Sequence, residues 1–153
     1  MKRQLLWFAG LFCVAAFAAP LRANAQPTQA DYNYIGIGGS NEGIAVNSKI
    51  QIADRVSIRP TAIADIDFDD DLEVSGFVPI TYDFAPSSEA GRLLPFAGAG
   101  VAASTRDNGE VGAVVTGGLD YRINQKLTAN GSVYWTPFND SQVDFVVGLG
   151  YSF

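Results

Sequence analysis

From residue 31 onward, apolar residues recur at every second position, the period of a strand with one face set against the other. The last stretch shows it best. Val143, Phe145, Val147, Leu149, Tyr151 and Phe153 fall on one face, and Asp144, Val146, Gly148, Gly150 and Ser152 on the other. Earlier, Val111, Ala113, Val115, Leu119, Tyr121 and Ile123 oppose Gly112, Thr116, Gly118, Asp120 and Arg122. Leu127, Ala129, Val133 and Trp135 oppose Thr128, Asn130, Ser132 and Tyr134. Leu72, Val74, Val78, Ile80, Tyr82 and Phe84 oppose Glu73, Ser75, Thr81 and Asp83. Val56, Ile58, Ala62 and Ile66 oppose Arg55, Ser57, Arg59, Thr61 and Asp65. The pattern predicts eight strands, at 32–40, 43–52, 55–65, 72–84, 94–105, 110–122, 126–137 and 141–153. The first and fifth, rich in Gly and Ala, give no clear facing. Short clusters of Asn, Asp, Ser and Gly separate the segments, so successive strands pair antiparallel.

These segments are longer than the usual soluble strand of about 5–6 residues, and match the roughly 9–11 of a tilted strand crossing a bilayer. The polar face also carries glycines, Gly112, Gly118, Gly148 and Gly150. Small residues suit the crowded interior of a narrow barrel, so the apolar face is assigned to lipid and the small, polar face to the lumen. Tyr82, Phe84, Tyr121, Tyr151 and Phe153 gather toward one end of the strands, and Trp135, Phe138 and Phe68 toward the other. Two aromatic girdles are expected of a membrane barrel. The competing reading is a soluble exported barrel of the lipocalin kind. It would bury Val147, Leu149 and Tyr151 around a pocket for a small apolar ligand.

Residues 1–25 read as a cleaved signal peptide. Lys2 and Arg3 precede an apolar run from Leu5 to Ala19, and Ala23-Asn24-Ala25 supplies small residues before Gln26. The run is short for a membrane helix. The expected domain is therefore 26–153. Of the 10 basic residues, Lys2, Arg3 and Arg22 go with the leader, which leaves 7 against 16 acidic, a net charge of −9. The one cysteine, Cys13, goes too.

An acidic chain of this kind argues against nucleic acid as a partner. With no histidine anywhere, neither Ser-His-Asp machinery nor an imidazole metal site can be built. No G-K-[ST] phosphate loop occurs. An enzyme is not expected, nor a cofactor.

The segment Val147-Gly148-Leu149-Gly150-Tyr151-Ser152-Phe153 ends the chain on an aromatic residue after alternating apolar positions. Gly117-Gly118-Leu119-Asp120-Tyr121-Arg122 and Pro95-Phe96-Ala97-Gly98-Ala99-Gly100 are further Gly-aromatic stretches. In these the chain resembles the small eight-stranded outer-membrane barrels, the OmpA/OmpX-like and opacity-type porin family proteins. That resemblance implies an all-β, antiparallel up-and-down transmembrane barrel in the outer membrane of a Gram-negative-type bacterium. It implies that Leu149, Tyr151 and Phe153 form the C-terminal signal read by the barrel-assembly machinery, and that the lipid bilayer is the main partner. It also places the C-terminus in the periplasm, with outer connections near 41, 66–71, 106–109 and 138–141. All are short for a receptor or adhesin.

Two charge constellations remain. Asp65, Asp67, Asp69 and Asp71, continued by Glu73, alternate like the ligands of a calcium loop, but Asp70 and Gly76 stand where such a loop needs Gly and a bidentate Glu. A solvated acidic loop is the plainer reading, and a weak surface site for a divalent cation the functional one. The second set, Lys49, Arg59, Asp83, Asp120 and Arg122, points into the lumen near the C-terminal end. Buried charges must pair, so these are expected to form an ionic plug. A gated conduit for small ions is the alternative, biased to cations by Glu73 and Asp144, for which no basic partner is evident.

Overall fold

The computed structural model describes residues 31–65, 72–87, 91–106, 109–137 and 141–153. The leader assigned to 1–25 and the side chains of Phe68 and Phe138 lie outside them. The strands are β1 (Tyr34–Ser40), β2 (Ile44–Ala53), β3 (Val56–Ile58), β4 (Thr61–Asp65), β5 (Glu73–Asp83), β6 (Leu93–Ser104), β7 (Glu110–Arg122), β8 (Leu127–Thr136) and β9 (Gln142–Ser152). Every pairing is antiparallel and between neighbours. β1 meets both β2 and β9, with Tyr34 opposite Lys49 on one side and Ser152 on the other, so the sheet closes on itself.

Eight staves make the wall. The third, expected as one strand over 55–65, divides into β3 and β4 at Arg59-Pro60. Proline has no N–H to give a ladder. The register nonetheless runs through the break, from Ile50 opposite Ile58 to Asn47 opposite Thr61. Ser48 N–H donates to the Pro60 carbonyl at 2.9 Å, and Arg59 N–H to that of Pro79 at 3.0 Å.

The two faces are sorted as the alternation requires. Val147 is 70% exposed while Val146 beside it is fully buried. Val143, Phe145, Leu149 and Tyr151 are exposed with Val147, and on other staves so are Ile37, Ile80, Tyr82, Val101, Val115, Leu119 and Trp135. The lipocalin-like reading needs Val147, Leu149 and Tyr151 inside, and they are outside. The interior is instead crowded against the glycines. A Cβ on Gly150 would lie 2.6 Å from the Tyr34 ring, and one on Gly118 2.7 Å from that of Phe96. β1 and β6 turn Tyr34, Leu94 and Phe96 inward. The near end of the barrel holds residues 31–33 and Phe153; the far end holds the turns after β1 and β6.

Candidate functional site

Four of the five lumen charges meet in the near half. β2 and β3 set Lys49 and Arg59 side by side, since the ladder that pairs Ile50 with Ile58 puts them opposite each other. Two like charges in one layer need counter-charges from other staves. Asp83 at the end of β5 lies 3.1 Å from Lys49 Nζ, and its other oxygen 2.7 Å from Arg59 Nη2. Asp120 on β7 takes the same Nη2 at 2.8 Å. All four are buried, Lys49 completely. The layer is balanced, two cations against two anions.

Neutral donors complete it. Ser57 O–H donates to Asp83 at 2.6 Å and Tyr32 O–H to Asp120 at 2.6 Å. Arg59 Nε donates to Thr81 at 3.0 Å and Nη1 to the Tyr34 hydroxyl at 3.2 Å. Lys49 Nζ sits 3.6 Å from the centre of the Tyr32 ring, and the Arg59 guanidinium 3.6 Å from that of Phe96. Charge-assisted bonds and cation–π contacts of this kind offset part of the desolvation cost of burying ions. Tyr32, Tyr34 and Phe96 were not expected here. Their stretches are among the Gly-Ala-rich ones whose facing the alternation leaves open.

Arg122, the fifth residue of the set, stands apart. Its guanidinium lies 4.7 Å from the Tyr32 ring, and Nη2 reaches the Gln125 carbonyl at 3.5 Å. It touches no carboxylate among the described residues. Arg122 ends β7 at the near rim, beyond the level of Asp120, which Arg59 already satisfies.

Above the ions, Asn47 and Asn130 bridge the lumen at 2.5 Å, and Thr61 meets the Tyr134 hydroxyl at 2.8 Å. Next comes an apolar layer of Ala45, Ile63, Phe77, Ala102, Val114, Tyr134 and Val146, with Phe77 and Tyr134 stacked at 4.7 Å between centroids.

At the far end Glu73, expected to have no basic partner, has one. Arg106, in the turn after β6, gives Nε to Glu73 at 2.7 Å and Nη1 to Glu42 at 3.0 Å. The hydrogen bonds to Glu73 and Glu42 hold the Arg106 guanidinium above its already high ordinary pKa. Glu42 comes from the β1–β2 turn, across the mouth from the β6–β7 turn. Only closure of the sheet brings those turns together, and linear spacing gives no sign of it. Among the described residues no basic side chain reaches Asp144. Amide donors of Gln142 and Asn41 reach it at 3.1–3.4 Å.

Asp65 ends β4 opposite Glu73. Asp67, Asp69 and Asp71, which would complete a cation site with it, lie outside the described residues. Leu149, Tyr151 and Phe153 form an exposed row at the near end of β9, on the same face as Val147.

No family model matches the chain, and no curated protein matches it in sequence. Among solved structures it is similar to the N-terminal β-barrel domain of Pseudomonas aeruginosa OprF, with a TM-score of 0.60 and 17% identity over 80% of this chain and 98% of that one. It is similar to the Yersinia pestis outer membrane protein Ail, with a TM-score of 0.54 and 11% identity over 80% and 99%. The de novo designed TMB2.3 matches at 0.52 and 14% identity over 78% and 90%. The OprF domain agrees with the OmpA-like resemblance; none of these likenesses bears on the opacity-type label. At such identities the likeness is one of architecture: the chain has the fold of the small eight-stranded outer-membrane β-barrels.

Proposed function

We propose that this protein is a non-catalytic outer-membrane barrel whose lumen is plugged by the Lys49–Asp83–Arg59–Asp120 lattice, so that it serves the membrane as a structural element. The observation that carries the reading is the pairing of buried ions inside with a continuous apolar belt outside. Soluble monomers rarely expose contiguous apolar patches beyond a few hundred Å², and the apolar outer face of this barrel calls for lipid. Closure satisfies the backbone groups that lipid cannot. In this reading residues 1–25 direct export and are removed, and the near end lies in the periplasm. The row Leu149, Tyr151 and Phe153 is then the segment the assembly machinery reads.

A gated ion conduit is the second reading. It is favoured by one feature: Arg59 Nη2 is shared between Asp83 and Asp120, so a small shift could trade one partner for the other. Purified barrel in planar bilayers separates the two. The plug predicts a silent membrane for the native chain and current steps only when the lattice is cut. Discrete steps from the native chain would favour the conduit.

A further inference from the structure

We propose that the far half of the lumen is a binding chamber for a small organic ammonium ion, with the buried carboxylate of Asp144 as its anchor. A cavity of about 190 Å³ opens there, walled by Ser75, Ala102, Gly112, Gln142 and Asp144 with Phe77 in its floor. Asp144 is 1% exposed. The groups that reach its oxygens are neutral amides, and no cation touches it among the described residues. A buried carboxylate left without a counter-ion is costly, and a cavity beside it gives a counter-ion room.

The wall itself adds polar groups: the Ser75 and Ser104 hydroxyls, 3.1 Å apart, both line the cavity. An ammonium group has three N–H donors to distribute. Asp144 and the serine hydroxyls supply acceptors for them, and the Phe77 floor suits a short alkyl chain.

The charge distribution of the whole chain acts in the same direction. Of the seven basic residues in 26–153, Lys49, Arg55, Arg59, Arg92, Arg122 and Lys126 belong to the near half or its turns. Arg106 alone is at the far end, and Glu42 and Glu73 occupy it. A mouth lined by one sign of charge focuses ions of the other. Arg106 spans that mouth as a clasp above the chamber.

The chamber rests on the barrel reading but not on whether the lattice below conducts. The test is calorimetric titration of butylammonium into the full chain folded in lipid nanodiscs, with amide chemical shifts to map the site. Saturable binding that shifts Gly112 and Gln142 is expected. Asp144→Asn should weaken it by about tenfold or more. Ser75→Phe should do the same by filling the cavity with the carboxylate intact. Four results would overturn the chamber: no saturation by about 10 mM, equal affinity in Asp144→Asn, equal affinity for 1-butanol, or occupation by Mg²⁺ with none by butylammonium. Boiled and unboiled gel mobility of each sample, followed in parallel, reports the barrel separately. Loss of the native shift would fault the barrel reading, and its retention assigns any failure to the chamber.

Discussion

Arg59 Nη2 meets Asp120 Oδ2 at 2.8 Å from the opposite side of the lumen, though 61 positions separate the two residues. One joins the third stave to the sixth, so the pair exists only in the closed barrel. Removing Asp120 leaves the guanidinium with Asp83 and a buried excess of positive charge. Asp120→Ala should lower folding stability by about 3 kcal/mol, near the low end for a broken buried pair because Asp83 remains. Urea unfolding in lipid vesicles measures it. A loss below about 1 kcal/mol would show that the layer is wetter and looser than its geometry implies.

The far clasp should behave differently. Arg106 is one-third exposed, and Glu73 somewhat more. Arg106→Gln should cost less than about 1 kcal/mol in the same assay. A cost matching that of Asp120→Ala would make the clasp a main support of the barrel.

Val147 and Val146 test the facing assignment. At 70% exposure on β9, Val147 lies on the outer face of the barrel. Val147→Arg should destabilise the barrel by about 2–4 kcal/mol if it lies near the bilayer midplane. A Val147→Arg variant that folds and inserts as the native chain does would contradict the facing.

The seam between β1 and β9 carries two directly opposed glycine pairs, Gly36 with Gly150 and Gly38 with Gly148. A Cβ on Gly38 would run into the Val147 carbonyl and the Gly148 Cα, whereas one on Gly39 would meet nothing within 4 Å. Gly38→Ala should cost about 1–3 kcal/mol through forced backbone shifts. Gly39→Ala should stay within about 0.5 kcal/mol of the native chain. Equal effects, read from paired unfolding curves, would show that the seam has room to spare.

What the chain discloses before folding follows from how its two faces differ. The outward row is apolar, so the period of two marks most staves and their facing, though not the first and fifth, where Gly and Ala blur it. The lumen imposes no such uniform demand. It accepts Lys49 in one layer and Ile63, Phe77 and Val114 in another. An apolar residue on the inward row thus carries no sign of its direction, and the apolar layer between the ions and the far mouth was not foreseen. Pairings set by closure escape the sequence for another reason. Glu42 and Arg106 come from turns on opposite sides of the ring, and the distance between them depends on barrel diameter and tilt. Asp83 and Asp120 were legible as counter-charges because each sits at the same end of its strand as Arg59. Arg122 met that criterion too, yet it lies at the rim, since alternation fixes the side of a residue but not its depth.

The central claim is a closed barrel held in the outer membrane. The most direct measurement expresses the full chain in a bacterium with two membranes and runs the outer-membrane fraction in SDS with and without boiling. The account predicts a band in that fraction whose mobility changes on boiling, because the closed sheet resists detergent until heated. A band released with the soluble periplasm, of the same mobility either way, would contradict it.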